Sequence, residues 1–159
     1  MRTIILAAVA AIAATSAFAE GDVTKGKKTF GKCKACHTVS TPEGEVLLKG
    51  GRTGPNLFGV IGRPVGTADF KYSKALTAMS ENGVTWDEAS LSAFITDPNG
   101  YLKEQGIKGK TKMTFKLKKG AEDVAAFLAS LNPAPAEDAA EATETAEEPT
   151  EAGEAAQTN

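Results

Sequence analysis

Apolar residues recur at helical spacing in several stretches of the chain, and the clearest pattern lies at residues 124–131. Four apolar side chains there follow the i, i+3, i+4, i+7 spacing of one helix face: Val124, Phe127, Leu128 and Leu131. Glu122 and Asp123 favour the first turn of this helix, because a helix N-terminus carries partial positive charge. Asn132-Pro133 ends the pattern, so a helix is predicted between these two signals.

Two further helices are predicted earlier in the chain, each beginning at a residue that caps well. Asp22 is a suitable N-cap for a helix that runs towards the cysteines, and Ser73 is a suitable N-cap for a short second helix. Asn82-Gly83 would end the second helix. The residues expected on the inner faces are Val23, Gly26 and Phe30 in the first helix, and Leu76 and Met79 in the second.

The spacing of Thr85 and Glu88 forms a capping-box pattern, which predicts a third helix. Its inner face would carry Leu91, Phe94 and Ile95. Asp97-Pro98 would end it, because the residue before a proline avoids the helical conformation. No alternating run is long enough to indicate a strand, so the predicted class is all-α. The loops 38–56 and 99–114 are long for such a domain, so something must be buried beneath them.

The two ends of the chain differ in composition from this central part. Arg2, an apolar stretch and then Ala17-Phe18-Ala19 are typical of a signal peptide, so residues 1–19 are expected to be cleaved. Residues 133–159 are rich in Ala, Glu, Thr and Pro without a basic or aromatic residue, which predicts a disordered acidic tail. The folded domain is therefore placed at residues 20–132. It has 17 basic and 12 acidic residues, whereas the whole chain has a net charge of −2.

The segment Cys33-Lys34-Ala35-Cys36-His37 has the Cys-x-x-Cys-His spacing by which haem c is attached covalently. One helical turn places both thiols on one face for two thioethers, and His37 can then reach the iron. A structural zinc site needs four Cys or His ligands, and the chain has only two Cys and one His. A thioredoxin-like disulfide would require a βαβ setting, and a simple disulfide would leave His37 without a role.

A sixth ligand for the iron must come from another residue type, because His37 is the only histidine. Methionine is the usual alternative in electron carriers. Met1 leaves with the signal peptide, so Met79 and Met113 remain. Met79 lies on a predicted helix face and suits a role as core filler. Met113 lies in a polar loop, where a ligand role explains it better.

With these motifs, the chain resembles the bacterial class I cytochromes c, and specifically the larger subtype similar to cytochrome c2. The resemblance covers nearly all of residues 21–131. The stretches that carry it, besides the haem motif, are Lys25-Gly26-Lys27-Lys28-Thr29-Phe30, Thr53-Gly54-Pro55-Asn56-Leu57, Gly62-Arg63, Phe70-Lys71-Tyr72-Ser73, Thr85-Trp86 and Thr111-Lys112-Met113-Thr114-Phe115. It implies short helices and long loops around one haem, and one-electron transfer with both ligands kept.

The resemblance also implies roles for individual residues around the haem. The carbonyl of Pro55 would accept the Nδ1 proton of His37. The buried propionates would be held by Arg63, Tyr72 and Trp86, and Phe115 would pack beside the ring. Gly26 and Phe30 would meet the last helix at Val124, Phe127 and Leu128. Phe94 and Leu76 stand where the family often has Tyr and Asn, so they supply no hydrogen bond to the sulfur of Met113.

An exported carrier of this kind would lie in the periplasm as a monomer, without stable membrane insertion. Its partners would be acidic surfaces of redox proteins, such as a cytochrome bc1-type complex and an oxidase, reductase or photosynthetic reaction centre. A nucleic acid is not expected, because aromatic residues are not interleaved with the lysines. The lysines expected at the haem edge are Lys32, Lys34, Lys112 and Lys116. A haem enzyme or ligand-binding protein with an open iron, and a sensor module, stay as alternatives.

Overall fold

Short helices and irregular segments make up the part of the chain that the computed structural model describes, residues 21–132. The predicted signal peptide, 1–19, and the predicted tail, 133–159, lie outside these residues. The elements in chain order are α1 Val23–Thr29, β1 Val39–Ser40, β2 Val46–Leu48, α2 Lys74–Glu81, α3 Glu88–Thr96, α4 Pro98–Glu104 and α5 Ala121–Ala129. A 3-10 turn, Phe30–Lys32, continues α1 up to the first cysteine.

Helices α1 and α5 cross in close contact, as expected, and the contact depends on Gly26. A Cβ atom added at Gly26 would overlap the carbonyl oxygen of Asp123 and lie 2.7 Å from Cβ of Phe127. Phe30 is fully buried beside the crossing, with its ring edge-to-face on Phe127 at a centroid distance of 5.6 Å. Val23 is 43% exposed, so its predicted place on the inner face was wrong. It belongs to the first turn of α1, and α5, which contacts Gly21 and Asp22 there, leaves its side chain exposed.

The caps of α1 and α2 are those predicted, whereas the cap of α3 is not. The side chains of Asp22 and Ser73 accept hydrogen bonds from Lys25 N and Leu76 N. Helix α3 is capped by Asp87, whose carboxylate accepts from Ser90 N at 2.6 Å. Ser90 Oγ accepts from Asp87 N at 3.0 Å, which completes the capping box.

The predicted cap at Thr85 fails because its segment is extended and is paired elsewhere. Thr85 forms an isolated antiparallel bridge with Pro64. The next residue, Trp86, donates its N–H to Arg63 O at 3.0 Å and accepts from Gly62 N at 2.7 Å. These bonds keep the chain extended until Asp87, where the helix can begin.

Two elements lie in segments that were predicted to be loops. The hairpin of β1 and β2 pairs Val39 with Leu48 in antiparallel orientation, and strands of two and three residues are too short for an alternating pattern. Helix α4 begins directly after α3. Pro98 occupies its first turn, where a missing N–H costs nothing, and Asp97 Oδ1 accepts from Gly100 N at 3.1 Å. The proline that ends α3 therefore starts the next helix.

The packing of α3 on α4 and α5 creates an aromatic cluster. The ring of Trp86 lies 5.0 Å from that of Phe94 and 6.0 Å from that of Tyr101. The inner face predicted for α3 is buried, and so are Val124, Phe127 and Leu128 of α5. Leu131, predicted for the same face, is only partly buried, because α5 ends at Ala129. Within residues 21–132, no helix combines the length and the apolar character needed to cross a membrane.

The Gly26→Ala substitution is expected to destabilise the protein, although alanine normally favours a helix by about 1 kcal/mol over glycine. The new methyl would force α1 and α5 apart, and such overpacking costs about 1–3 kcal/mol. Urea unfolding of the haem-loaded protein measures the difference. Gly31→Ala is the matched control, because a Cβ there has nothing within 4 Å. A Gly26→Ala protein as stable as the control would show that the crossing tolerates a side chain.

Candidate functional site

A cavity of about 330 Å³ lies between the cysteine segment on one side and the loop that carries Met113 on the other. Its walls are largely apolar and include side chains from α2, α3 and α5. All nine residues predicted for the site line this one cavity: Cys33, Cys36, His37, Pro55, Arg63, Tyr72, Trp86, Met113 and Phe115.

The cysteine segment forms a tight turn that follows directly from α1. Cys36 N and His37 N both donate to Cys33 O, at 3.0 and 2.9 Å. This turn presents the two thiols and the imidazole to the same cavity, as the spacing predicted. The pKa of the Cys33 thiol is raised to about 11, mainly by burial and to a smaller extent by the nearby Cys36. The thiol is therefore protonated at neutral pH and is a poor metal ligand by itself.

The His37 ring is oriented by a backbone carbonyl. Its Nδ1 lies 2.8 Å from Pro55 O, which is a hydrogen bond when Nδ1 carries the proton. Burial lowers the pKa of His37 and the bond to Pro55 partly opposes that shift, so the ring is neutral at pH 7. With Nδ1 engaged, Nε2 is the nitrogen available to a metal.

Three glycines allow the loop before Pro55 to lie against the cysteine segment. A Cβ atom at Gly50 or Gly51 would overlap the carbonyl oxygens of His37 or Ala35, respectively. At Gly54 it would lie 2.7 Å from His37 Nδ1. The loop and the imidazole therefore pack face to face, with no space for a side chain between them. Gly51 N also donates to Lys34 O at 2.8 Å and fixes the loop in place.

The two candidate methionines occupy different environments. Met113 is half-buried and lines the cavity, whereas Met79 is fully buried in the core and does not line it. The Met113 loop is held by two hydrogen bonds: Thr111 N donates to Asn99 Oδ1, and Met113 N donates to Thr111 Oγ1, both at 3.1 Å. The arrangement favours Met113 as the residue that faces a bound group.

Known proteins of similar sequence show which family this chain belongs to. No protein-family model matches the chain. Cytochrome c-551 of Roseobacter denitrificans is 46% identical over 133 residues, which cover 82% of this chain and 96% of the relative. Cytochrome c2 of Rhodobacter capsulatus is 48% identical over 125 residues, covering 77% and 90%. This chain belongs to the class I cytochromes c of the cytochrome c2 group.

The solved structures agree with this assignment to the cytochromes c2. The structure of cytochrome c2 from Rhodobacter capsulatus superimposes with a TM-score of 0.67 at 49% identity, over 69% of this chain and 97% of the other. The predicted fold class is confirmed, with the small hairpin as an addition. As a cytochrome c of this group, the chain is an electron transfer protein with one covalently attached haem c, and the alternatives of an enzyme and a sensor are not supported.

The cavity of this cytochrome c fits a haem on three structural grounds. Its volume and apolar walls suit a flat macrocycle, and its polar groups are few and convergent. The cysteine turn presents both thiols to it. Finally, no group of three or more His, Cys, Asp or Glu side chains within residues 21–132 is arranged to hold a bare metal ion. The residues therefore suit an iron held mainly by a macrocycle.

The predicted propionate partners are all at the cavity, and Arg63 has a further role. Its guanidinium donates to Phe58 O at 2.9 Å and to Asn56 O at 3.0 Å, so it braces the loop that follows Pro55. The phenol of Tyr72 lies near this guanidinium; burial raises the pKa of Tyr72 and the positive charge of Arg63 opposes the shift. Trp86 is almost fully buried, and Phe115 is exposed on the cavity side of its loop. Binding of propionates by these residues stays a prediction.

Asn56 is a site residue that the sequence reasoning missed. Its Oδ1 accepts from Ser40 N at 3.1 Å and from Phe58 N at 3.0 Å, and its Nδ2 donates to Ser40 O at 2.7 Å and Ser40 Oγ at 3.0 Å. Asn56 thereby joins β1 to the loop that contains Pro55. Its place directly after the carbonyl that orients His37 was the available signal.

The Asn56→Ala substitution is expected to loosen the bond between Pro55 and His37. It leaves two N–H groups and a carbonyl unpaired in a half-buried site, which costs about 2–4 kcal/mol of unfolding free energy. The Nδ1 proton of His37, followed by NMR in the haem-loaded protein, should exchange faster with solvent. Ser40→Ala, which removes only the Oγ contact, should cost less than about 1.5 kcal/mol and leave that proton protected. Equal exchange rates in the two variants would contradict the bracing role of Asn56.

Proposed function

We propose that this cytochrome c is a periplasmic one-electron carrier whose iron is held by His37 and Met113. The observation that carries the proposal is that these two residues and both cysteines line one cavity, from which Met79 is excluded. Cys33 and Cys36 form the two thioethers in this proposal. Haem, when bound, supplies an iron that exchanges one electron.

The residues of the chain keep that exchange simple. Pro55 holds the imidazole of His37 by its carbonyl, so the ring cannot turn between oxidation states. Thr111 and Asn99 hold the backbone of the Met113 loop. An iron held by a thioether and an imidazole would favour the reduced state and would have no position left for a substrate. Leu76 and Phe94, which are buried and line the cavity, exclude water from that side.

The Met113→Ala substitution should open the iron. The weak far-red absorption band of a thioether-ligated ferric haem should disappear, and the ferrous protein should bind carbon monoxide rapidly. Met79→Leu is the matched control, because it conserves volume in the core, costs less than about 1.5 kcal/mol and should keep the band. If the band is lost in the Met79 variant and kept in the Met113 variant, the ligand assignment is wrong.

The surface around the cavity mouth suits an acidic partner. We define the cationic rim as Lys32, Lys34, Lys49, Arg52, Lys71 and Lys112, all of which are exposed. Lys32 and Lys112 also line the cavity. Lys116, expected at the same edge, instead forms an ion pair with Asp97 at 2.7 Å. Complementary charge speeds the encounter of weak, short-lived complexes of this kind.

The proposed partners are membrane-bound redox complexes with acidic docking surfaces. A cytochrome bc1-type complex would donate the electron, and an oxidase, a reductase or a photosynthetic reaction centre would accept it. The carrier acts as a monomer and binds no nucleic acid. Its place in the periplasm rests on the signal-peptide pattern of residues 1–19, and the mature chain would then begin at Glu20.

The rate of reaction with a bacterial cytochrome bc1-type complex should fall steeply with salt, by about tenfold or more as the Debye length shortens from about 30 Å to about 8 Å. At low salt, Lys34→Gln should slow the reaction more than Lys103→Gln. Both residues are exposed, but Lys103 belongs to α4 and lies outside the cationic rim. Stopped-flow kinetics measures both effects. A rate that does not depend on salt would contradict docking through the rim.

A further inference from the structure

We propose that residues 133–159 bind to the cationic rim of their own molecule and compete with acidic partners for it. The proposal deepens the docking role of the rim given above and rests on it. The segment has eight acidic residues and no basic one: Glu137, Asp138, Glu141, Glu144, Glu147, Glu148, Glu151 and Glu154. It is the most concentrated negative charge in the chain.

The members of the rim are brought together by backbone contacts. Gly51 N donates to Lys34 O at 2.8 Å, which places the loop with Lys49 and Arg52 directly beside the cysteine segment. On the other side of the cavity, Lys112 Nζ donates to Lys71 O at 2.6 Å. Lys32, one residue before the cysteine segment, and Lys112 both line the cavity, so each of the two groups includes a cation at the cavity wall.

The charges of the rim are not neutralised within the folded domain. The ion pairs found among residues 21–132 are Lys25 with Asp22 and Lys116 with Asp97, and neither includes a rim residue. Within the described part of the chain, no acidic side chain lines the cavity. Asp69, Asp87 and Asp123 are next in sequence to the cavity residues Phe70, Trp86 and Val124, but none of the three lines the cavity, so the rim keeps a positive excess.

Lys25 is a less suitable partner for an acidic segment than the rim, because carboxylates surround it. The start of α1 has Asp22, which accepts from Lys25 N and whose own N–H donates to Asp123 at 2.8 Å. Glu122 lies beside Asp123 in the first turn of α5. These carboxylates lie along the edge of the domain that carries Lys25, and they weaken its attraction for a negative chain.

The segment is long enough to reach the rim from its starting point. Asn132, the last described residue, is fixed by a hydrogen bond from its Nδ2 to Ile61 O at 2.7 Å. The following 27 residues span about 90 Å when fully extended. Even a helix of that length would span about 40 Å. A domain of about 110 residues has a radius of gyration of about 13 Å, so every face lies within reach.

Tethering makes such a weak interaction effective. A segment on the same chain acts at an effective concentration on the order of millimolar. Docking of a partner must then displace the segment. This competition lowers the association rate and shortens the lifetime of the complex between the carrier and its partner. Salt screens both contacts, so the competition is strongest at low ionic strength.

The first test maps the contact in the haem-loaded protein. Its probe is a variant of equal length in which the seven Glu of residues 133–159 are replaced by Gln and the one Asp, Asp138, is replaced by Asn. Amide NMR spectra of the two proteins at low salt should differ at the rim, around Lys34, Arg52 and Lys112, and agree at Lys27 and Lys103. The differences should vanish at high salt. Identical spectra, or differences outside the rim, would overturn the proposal.

The second test uses two small redox reagents of opposite charge. Neutralising the segment should speed oxidation of the ferrous protein by ferricyanide severalfold and slow oxidation by tris(phenanthroline)cobalt(III). A diffuse field from the segment could do the same, so both rates are also measured with Lys34→Gln combined with Lys112→Gln. If the segment binds the rim, its effect shrinks in this background. An undiminished effect would refute binding at the rim.

The two proposals fail differently. If neutralising the segment changes nothing, but rim substitutions still slow the reaction with the cytochrome bc1-type complex, the docking role stands and the competition is wrong. If the spectra place the segment on the rim, while rim substitutions leave that reaction unchanged, the competition is again wrong together with the docking role. Only a faster reaction of the neutralised protein with the complex, lost in the rim variant, supports both.

Discussion

The close contact between the loop 50–55 and the cysteine segment is the constraint on which the site depends. Three glycine positions leave no room for a side chain between the two stretches, so their backbones lie directly against each other. The Pro55 carbonyl is thereby brought to His37 Nδ1. A haem bound to this turn has a fixed imidazole because the opposing loop cannot withdraw without losing the hydrogen bonds to Lys34 and Ser40.

The same contact explains why a polar side chain and a hairpin matter for electron transfer. Asn56 follows Pro55 and is held by β1, while Arg63 grips the carbonyls of Asn56 and Phe58 from the other side. The orientation of one imidazole is therefore supported by residues distributed over a stretch of about 25 positions. A set of half-buried hydrogen bonds of this kind restricts motion more than it adds stability, since each contributes only about 1 kcal/mol net.

The caps of α1 and α2 depend on neighbours in sequence and were predicted correctly, whereas the cap of α3 depends on a distant contact and was not. Ser73 caps α2 because its hydroxyl and Leu76 N are three residues apart. The cap of α3 could not be found in this way, because Thr85 is paired with Pro64, and only the folded chain brings these two together. Val23 failed for a similar reason: helical spacing marks a face, but the position of α5 decides how much of that face is covered.

In the candidate site, too, the residues marked by local spacing or shared motifs were predicted, and the contacts that depend on the path of a loop were not. The cysteine spacing and the shared motifs brought nine residues to one cavity, since the haem motif is local and the others were ordered by resemblance. The bonds of Arg63 to two backbone carbonyls depend on the path of the loop, so they had no sequence signal. Lys116 was expected at the cavity edge with Lys32, Lys34 and Lys112, yet its ammonium group is bound to Asp97. Exposure alone therefore does not identify a docking lysine.

The net charge of the whole chain is a poor guide to the charge of the folded surface. A net charge of −2 suggests a surface with little electrostatic direction, although residues 21–132 have 17 basic residues against 11 acidic ones. The described carboxylates do not line the cavity, whereas Lys32, Arg63 and Lys112 do, so the charged side chains of its lining are all basic. Because attraction between exposed charges falls off within about 8 Å at physiological salt, a partner senses this local surface rather than the total. The acidic residues 133–159 can therefore alter docking only by approaching the rim, which makes their position, and not their charge alone, the decisive quantity.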